Sequence, residues 1–185
     1  PVVAYGTSIT HGGCASRPGS SYTNILSRKL NIQFVNLGFS GSGKGEQPVA
    51  KAMAAISNPA LLILDYEANA GAAGIKNTLA GFVVILRQVH REVPILVLSR
   101  IRFSNEILEN DPGARDERLS SRDFQRGLVE RLRSEGDRNI HFLDGGELLG
   151  DAYHECSVDG VHQTDFGFHQ MADRLLPTVS SLVFQ

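Results

Sequence analysis

The chain has 185 residues, a net charge of −2, and 42% apolar against 21% charged residues, the balance of a single globular domain with a sizeable core. That charge gives no broad basic surface for nucleic acid or an anionic membrane, and no apolar run approaches the ~20 residues of a spanning helix. Two cysteines allow at most one disulfide, and a start at Pro1 without methionine or signal peptide fits a processed or excised piece whose targeting information is lost.

Pro1 to Tyr5 is the first apolar run that reads as a strand. It leads into Gly6-Thr7-Ser8-Ile9-Thr10-His11-Gly12 and then a small, polar stretch as far as Ser21. Tyr22, Ile25, Leu26, Lys29 and Leu30 keep a 3-4 spacing, which predicts a helix. Ile32 to Leu37 is the second strand, followed by the glycine-rich segment Gly38 to Gly45. Ala60 to Asp65 is the third, followed by Glu67-Ala68-Asn69-Ala70-Gly71. Helical spacing returns at Leu79, Val83, Leu86 and His90. Pro94 to Ser99 is the fourth strand. The polar stretch Phe103 to Asp116, with Asp111-Pro112-Gly113, predicts a long loop, and Phe124, Leu128 and Leu132 mark the helix after it. Ile140 to Leu143 is the fifth strand, and Phe168, Met171, Ala172, Leu175 and Leu176 form a terminal helical stripe.

Short apolar runs bounded by Gly, Asn, Asp or Ser are what buried parallel strands look like. Their alternation with helices predicts an α/β layer fold with right-handed crossovers. No repeat or low-complexity linker divides residues 1–185, so one domain is expected. In such sheets ligands sit at the carboxyl ends of the strands, where strand order switches. With order 2-1-3-4-5, Ser8 emerges from the central strand. The segments after strands 2 and 3 then flank it.

A serine is a weak nucleophile; it needs a base, and the base needs an orienting partner. Asp159-Gly160-Val161-His162, near the other end of the chain, supplies an acid three residues before a histidine. Acyl transfer also needs donors aimed at the oxygen that becomes negative. Gly41 offers a bare backbone N–H, Asn69 an amide, and Ser8 its own N–H as a third donor. If the fold joins the two ends, the chain is a candidate hydrolase.

These residues resemble the four blocks of the SGNH (GDSL-type) hydrolases: Ser8 in Gly-Thr-Ser-Ile-Thr, Gly41 in Asn-Leu-Gly-Phe-Ser-Gly, Asn69 in Glu-Ala-Asn-Ala and His162 in Asp-Gly-Val-His. The blocks stand in family order across most of the chain. The resemblance implies a three-layer flavodoxin-like fold with a five-stranded parallel sheet, and esterase, lipase, thioesterase or carbohydrate esterase activity without a metal or other cofactor. It implies Ser8 as nucleophile, His162 as base, Asp159 as its orienter, and Ser8, Gly41 and Asn69 as the oxyanion hole. The segment His11 to Tyr22 resembles a bacterial subgroup linked to carbohydrate deacetylation, so the expected substrate is a small-molecule or oligosaccharide acetyl ester. Thr7 stands where the family usually has aspartate, and Ala70 replaces the acid that usually follows the asparagine. An acyltransferase uses the same residues, and no motif reports which acceptor is used.

The competing motif is Gly38 to Gly45, close to the phosphate loop Gly-x4-Gly-Lys-Ser/Thr. Leu61 to Asp65 imitates the strand that ends in a magnesium-binding acid. Gly45, however, takes the place of the metal's hydroxyl ligand, and the loop follows the second strand, not the first. No His, Cys and Asp cluster has metal spacing. Arg17 and Glu67, with Tyr66, are candidates to contact substrate, although loop solvation and turn capping explain them equally. His90, His141 and His154 have no partner spacing. If the catalytic segments converge, Cys14 and Cys156 come near enough to consider a bridge; two unrelated small residues is the simpler expectation.

Overall fold

Val2, Val3, Ala4 and Tyr5 are all fully buried, so strand β1 (Val2–Gly6) has protein on both faces. Such a strand belongs inside a sheet covered on both sides. The computed structural model, which describes residues 1–104, 106 and 112–184, places it there. After β1 comes a one-turn helix, α1 (Ser8–His11), then α2 (Tyr22–Leu30), β2 (Phe34–Gly38) and α3 (Gln47–Ala54). The chain continues through β3 (Leu61–Asp65), α4 (Glu67–Val89), β4 (Ile95–Leu98), α5 (Pro112–Ser134), β5 (Ile140–Leu143) and α6 (Asp165–Val183). The five strands are parallel in the order β2-β1-β3-β4-β5. Gly6 pairs with Gly38 on one side and Asp65 on the other, so the carboxyl ends of three strands are level beneath Ser8.

The sheet separates two apolar layers. Val2, Ala4, Leu61, Ile63, Leu96 and Leu98 face α2 and α6, where Ile25, Leu26, Phe168, Met171 and Leu175 complete the layer. Val3, Tyr5, Leu62, Leu64, Ile95 and Val97 face α3, α4 and α5 through Met53, Leu79, Phe82, Leu86 and Leu128. Each large buried side chain contributes about 1.5–3 kcal/mol relative to exposure. Both faces are covered, which gives the three-layer flavodoxin-like architecture.

Some elements differ from the sequence pattern. Helix α3 has no counterpart in it; Pro48 at its first turn is the start signal, and its buried positions are Ala50, Met53 and Ala54. Helix α5 begins at Pro112, inside the stretch predicted as loop to Asp116; positions 105 and 107–111 of that stretch lie outside the described residues. By length and composition α4 is apolar enough to cross a bilayer. It is nevertheless broken at Gly71 (φ 64°, ψ 177°), and its apolar stripe packs on the sheet. The cysteines do not pair: Cys14 is exposed, and Cys156 is buried with its thiol directed at the Ala152 carbonyl, 3.6 Å away.

Candidate active site

Ser8 is the first residue of α1, and the local sequence explains why the chain turns there. Thr7 is extended (φ −110°, ψ −163°), and its hydroxyl accepts the Ile9 N–H at 3.2 Å. The Thr7 N–H in turn donates to Thr10 Oγ1 at 3.2 Å. This reciprocal cap satisfies two donors that a helix start leaves open. Gly12, in the left-handed region at φ 91°, closes the turn by donating to the Ser8 carbonyl at 3.0 Å. Thr7 therefore serves as the cap of α1.

Ser8 and His162 are 154 residues apart in sequence, and Ser8 Oγ lies 2.8 Å from His162 Nε2. His162 Nδ1 lies 2.6 Å from Asp159 Oδ2. Asp159 Oδ1 also accepts the N–H groups of Val161 at 3.0 Å and His162 at 2.7 Å. The backbone N–H of His162, then its ring and the Val161 N–H, hold the Asp159 carboxyl at about 2. An ionised carboxylate only accepts. So Nδ1 carries the imidazole proton, and Nε2 is left to accept from the serine hydroxyl.

The acid–histidine loop is held at both ends. The Val158 N–H donates to the His162 carbonyl at 2.9 Å, and Ser157 bridges Gln163. The Gly160 carbonyl accepts from the Ser104 N–H at 2.8 Å, tying the loop to the segment after β4. Thr164 then caps α6 through the Gly167 N–H at 3.2 Å.

Gly41 sits on the loop after β2, whereas Asn69 lies in the first turn of α4 rather than on a loop after β3. Gly41 is exposed at φ 69°, a conformation that L side chains rarely adopt. Among the described residues, the N–H groups of Ser8 and Gly41 donate to no protein acceptor. Asn69 Nδ2 donates one hydrogen to the Phe39 carbonyl at 3.1 Å, and among the described residues the other has no acceptor. Phe39 thus supplies the support that Ala70 cannot. A backbone carbonyl has no residue-type signature, so nothing in the sequence points to it.

The remaining candidates are less central. Glu67 is only 2% exposed. Its carboxylate accepts the Arg100 N–H at 2.7 Å and Gln125 Nε2 at 2.6 Å. It therefore joins the start of α4 to β4 and α5, which is the structural option rather than a free hand for a sugar hydroxyl. Tyr66 is buried and stacks near Phe82, with its hydroxyl 3.0 Å from Thr78 Oγ1. Arg17 is exposed on the rim, beside Ser16, whose N–H is held by Asp165 at 2.8 Å. His90 bonds the Ala54 carbonyl at 2.9 Å, far from Ser8 in the fold.

The Gly38 to Gly45 segment does not form a phosphate cradle. Ser42 and Gly43 donate to the Phe39 carbonyl, Gly45 to Tyr5 Oη at 2.8 Å, and Lys44 to the Glu46 carboxylate at 3.0 Å. The amides of Ser42, Gly43, Lys44 and Gly45 are already used, and a carboxylate stands at the start of α3. Among the described residues, no group of three or more His, Cys, Asp or Glu side chains could hold a metal ion. A cavity of about 240 Å³ is walled by Ala68, the sequence neighbour of Asn69, with Phe103, Arg100, Glu117 and Arg118 among others; Ser8, Gly41, Asn69 and His162 do not line it.

Comparison with known proteins gives concordant results. The model of the GDSL-like lipase/acylhydrolase family matches residues 1–180. A solved candidate GDSL-like lipase from Bacteroides ovatus is 36% identical, with a TM-score of 0.89, and is matched over 99% of this chain and 53% of its own. The salicylyl-acyltransferase SsfX3 of a tetracycline biosynthetic pathway is 24% identical, with a TM-score of 0.80, over 99% of this chain and 55% of its own. A carbohydrate acetylesterase family member from Sinorhizobium meliloti is 16% identical, with a TM-score of 0.70, over 100% of this chain and 99% of its own. The last two likenesses concern the fold alone. The chain spans about half the length of the first two. No curated protein matches the sequence.

Proposed function

This chain belongs to the GDSL-like lipase/acylhydrolase family, and from that membership we propose that it is a serine esterase acting on short acyl esters, acetyl above all, of a polyhydroxylated alcohol such as a sugar. The observation that carries the reading is the continuous relay from Ser8 Oγ through His162 to Asp159, at 2.8 and 2.6 Å. Ser8 Oγ attacks the ester carbonyl while His162 Nε2 takes its proton. The tetrahedral oxyanion is met by the N–H groups of Ser8 and Gly41 and by the free hydrogen of Asn69 Nδ2. The alcohol leaves with the proton from His162, and water repeats the sequence to release the acid. Asp159 stays ionised and stabilises the imidazolium that forms.

The short-acyl preference follows from the surroundings. The cavity walled by Ala68, next in sequence to Asn69, is about 240 Å³, below the ~300–1,000 Å³ of pockets that enclose larger ligands. Two arginines and two glutamates share its wall with Ala68 and Phe103. In the segment from Cys14 to Pro18, Cys14, Ser16, Arg17 and Pro18 are exposed, and Ser16 and Arg17 supply polar groups. Such a site suits hydrated hydroxyls better than an alkyl chain. Rates on p-nitrophenyl esters from C2 to C12, alongside acetylated xylo-oligosaccharides, test this. Acetyl is expected to exceed butyryl and far exceed decanoyl; fastest turnover on C10 or C12 would replace the proposal with a lipase. An added alcohol that captures the acyl group in preference to water would make it an acyltransferase.

The role proposed for Asn69 has its own test. Asn69→Ala should lower kcat by about 10²–10³ with little change in KM, because an oxyanion donor favours the transition state over the ester. Steady-state kinetics on p-nitrophenyl acetate separate the two parameters. A rise in KM alone would make Asn69 a substrate-binding residue instead.

A further inference from the structure

The turn that carries Ser8 is fastened to both strands that flank β1, and Thr10 makes both joins. Its hydroxyl donates to Asp65 Oδ2 at 2.8 Å, at the end of β3. Its carbonyl accepts from Asn36 Nδ2 at 2.7 Å, on the edge strand β2. Its hydroxyl oxygen also receives the Thr7 N–H that closes the cap of α1. Asp65 Oδ2 takes a second hydroxyl, that of Tyr22, at 2.8 Å. Asn36 Nδ2 is steadied in turn by Thr23 Oγ1 at 2.9 Å.

The core is built around this cluster. Thr10, Tyr22 and Thr23 have no exposed surface, and Asp65 has 9%. A Cβ on Gly6 would lie 1.9 Å from Thr10 Oγ1 and 2.4 Å from the Asp65 carbonyl, so only glycine lets Thr10 settle against the strand end. Burial lifts the Asp65 carboxyl to about 7, although the Tyr22 and Thr10 hydroxyls pull it down. Burying a carboxyl in this way is costly, and apolar residues would fill the same space more cheaply. The proposed chemistry does not use Asp65: its hydrogen bonds go to Thr10 and Tyr22, not to Ser8 or His162.

We infer that Thr10, anchored by Asp65 and Asn36, is a positioning residue that fixes the rotation of the one-turn helix and so aims Ser8 Oγ at His162 Nε2. The inference rests on the serine esterase reading. A turn joined to one neighbouring strand can pivot about β1; a turn joined to both cannot. Removing the hydroxyl cuts the join to β3 and also leaves the Thr7 N–H without its acceptor. A displacement of about 1 Å at a nucleophile is enough to cost on the order of 10²-fold.

Thr10→Val removes the hydroxyl at nearly constant shape, and Thr10→Ser keeps it. With p-nitrophenyl acetate, Thr10→Val is expected to lose at least tenfold in kcat with KM within twofold. Its rate of Ser8 labelling by a fluorophosphonate should fall by a similar factor. Thr10→Ser should restore both to within about threefold of wild type. A merely structural role would lower the melting temperature and leave kcat and labelling of the folded protein unchanged, and that result overturns the inference. If Thr10→Val does not fold, Asp65→Asn takes its place: slowed labelling of the folded variant supports the inference, and an unchanged rate overturns it. Wild-type protein that neither labels at Ser8 nor hydrolyses any ester would sink the esterase reading itself, and this inference with it. Normal labelling that is indifferent to Thr10 sinks only the inference.

Discussion

Ser8→Ala is expected to lose on the order of 10⁶-fold in kcat for ester hydrolysis while keeping its fold. Among the described residues, the side-chain oxygen of Ser8 has one hydrogen-bond partner, His162 Nε2. The turn itself is held by backbone groups of Ser8 and by the Thr7 and Thr10 hydroxyls, none of which the substitution touches. Ser8 is 7% exposed, and a methyl group fits where the hydroxyl stood. The histidine ring, 31% exposed, can find water in place of the lost hydroxyl, so no buried group is orphaned. Thermal melts should therefore nearly superimpose, whereas fluorophosphonate labelling should vanish. A folded Ser8→Ala protein with most of the wild-type kcat would end the serine esterase proposal.

The meeting of Ser8 with His162 and Asp159 was more legible in the sequence than the contacts that support it. Strand positions follow from uninterrupted apolar runs: Ala60 to Asp65 matches the observed Leu61–Asp65 to within one residue, and Ile140 to Leu143 coincides with β5. A parallel α/β sheet puts every strand's carboxyl end on one edge, which is why residues as distant as Ser8 and His162 can be expected to meet. Short elements leave a weaker trace. The four residues of α1 cannot show a helical period, and α3 carries its start signal in Pro48 rather than in periodicity. Asp65 shows a further limit. At the end of an apolar strand it resembles a metal-binding acid, and only the packing of Tyr22 and Thr10 against it reveals a different use. Likewise, the loss of the acid after Asn69 is visible in the sequence, but its replacement by the Phe39 carbonyl is a backbone contact with no residue signature.

His162→Ala is expected to be about as damaging as Ser8→Ala, and Asp159→Asn less so, by roughly 10⁴-fold. Without His162 the serine proton has no acceptor, so the nucleophile stays a weak hydroxyl. In Asp159→Asn the amide can still occupy the site, but it can present hydrogens to Nδ1. That favours the tautomer protonated on Nε2, which cannot accept from Ser8. The imidazolium also loses its counter-charge. Because the three residues act as one unit, Ser8→Ala/His162→Ala should be scarcely worse than either single change. The pH dependence has a definite sign. Three hydrogen bonds to Asp159, led by the His162 N–H, keep its carboxyl ionised down to about pH 2. Asp159 is therefore not the cause of any fall in activity on mild acidification. kcat/KM for p-nitrophenyl acetate should be lower at pH 5 than at pH 8, because a base that has taken up a proton cannot accept the serine proton. The Asp65 carboxyl, lifted to about 7 by burial, changes charge in the same range, so Asp65→Asn is measured alongside. Equal activity at pH 5 and pH 8, in protein shown to be folded at both, would argue against a histidine base.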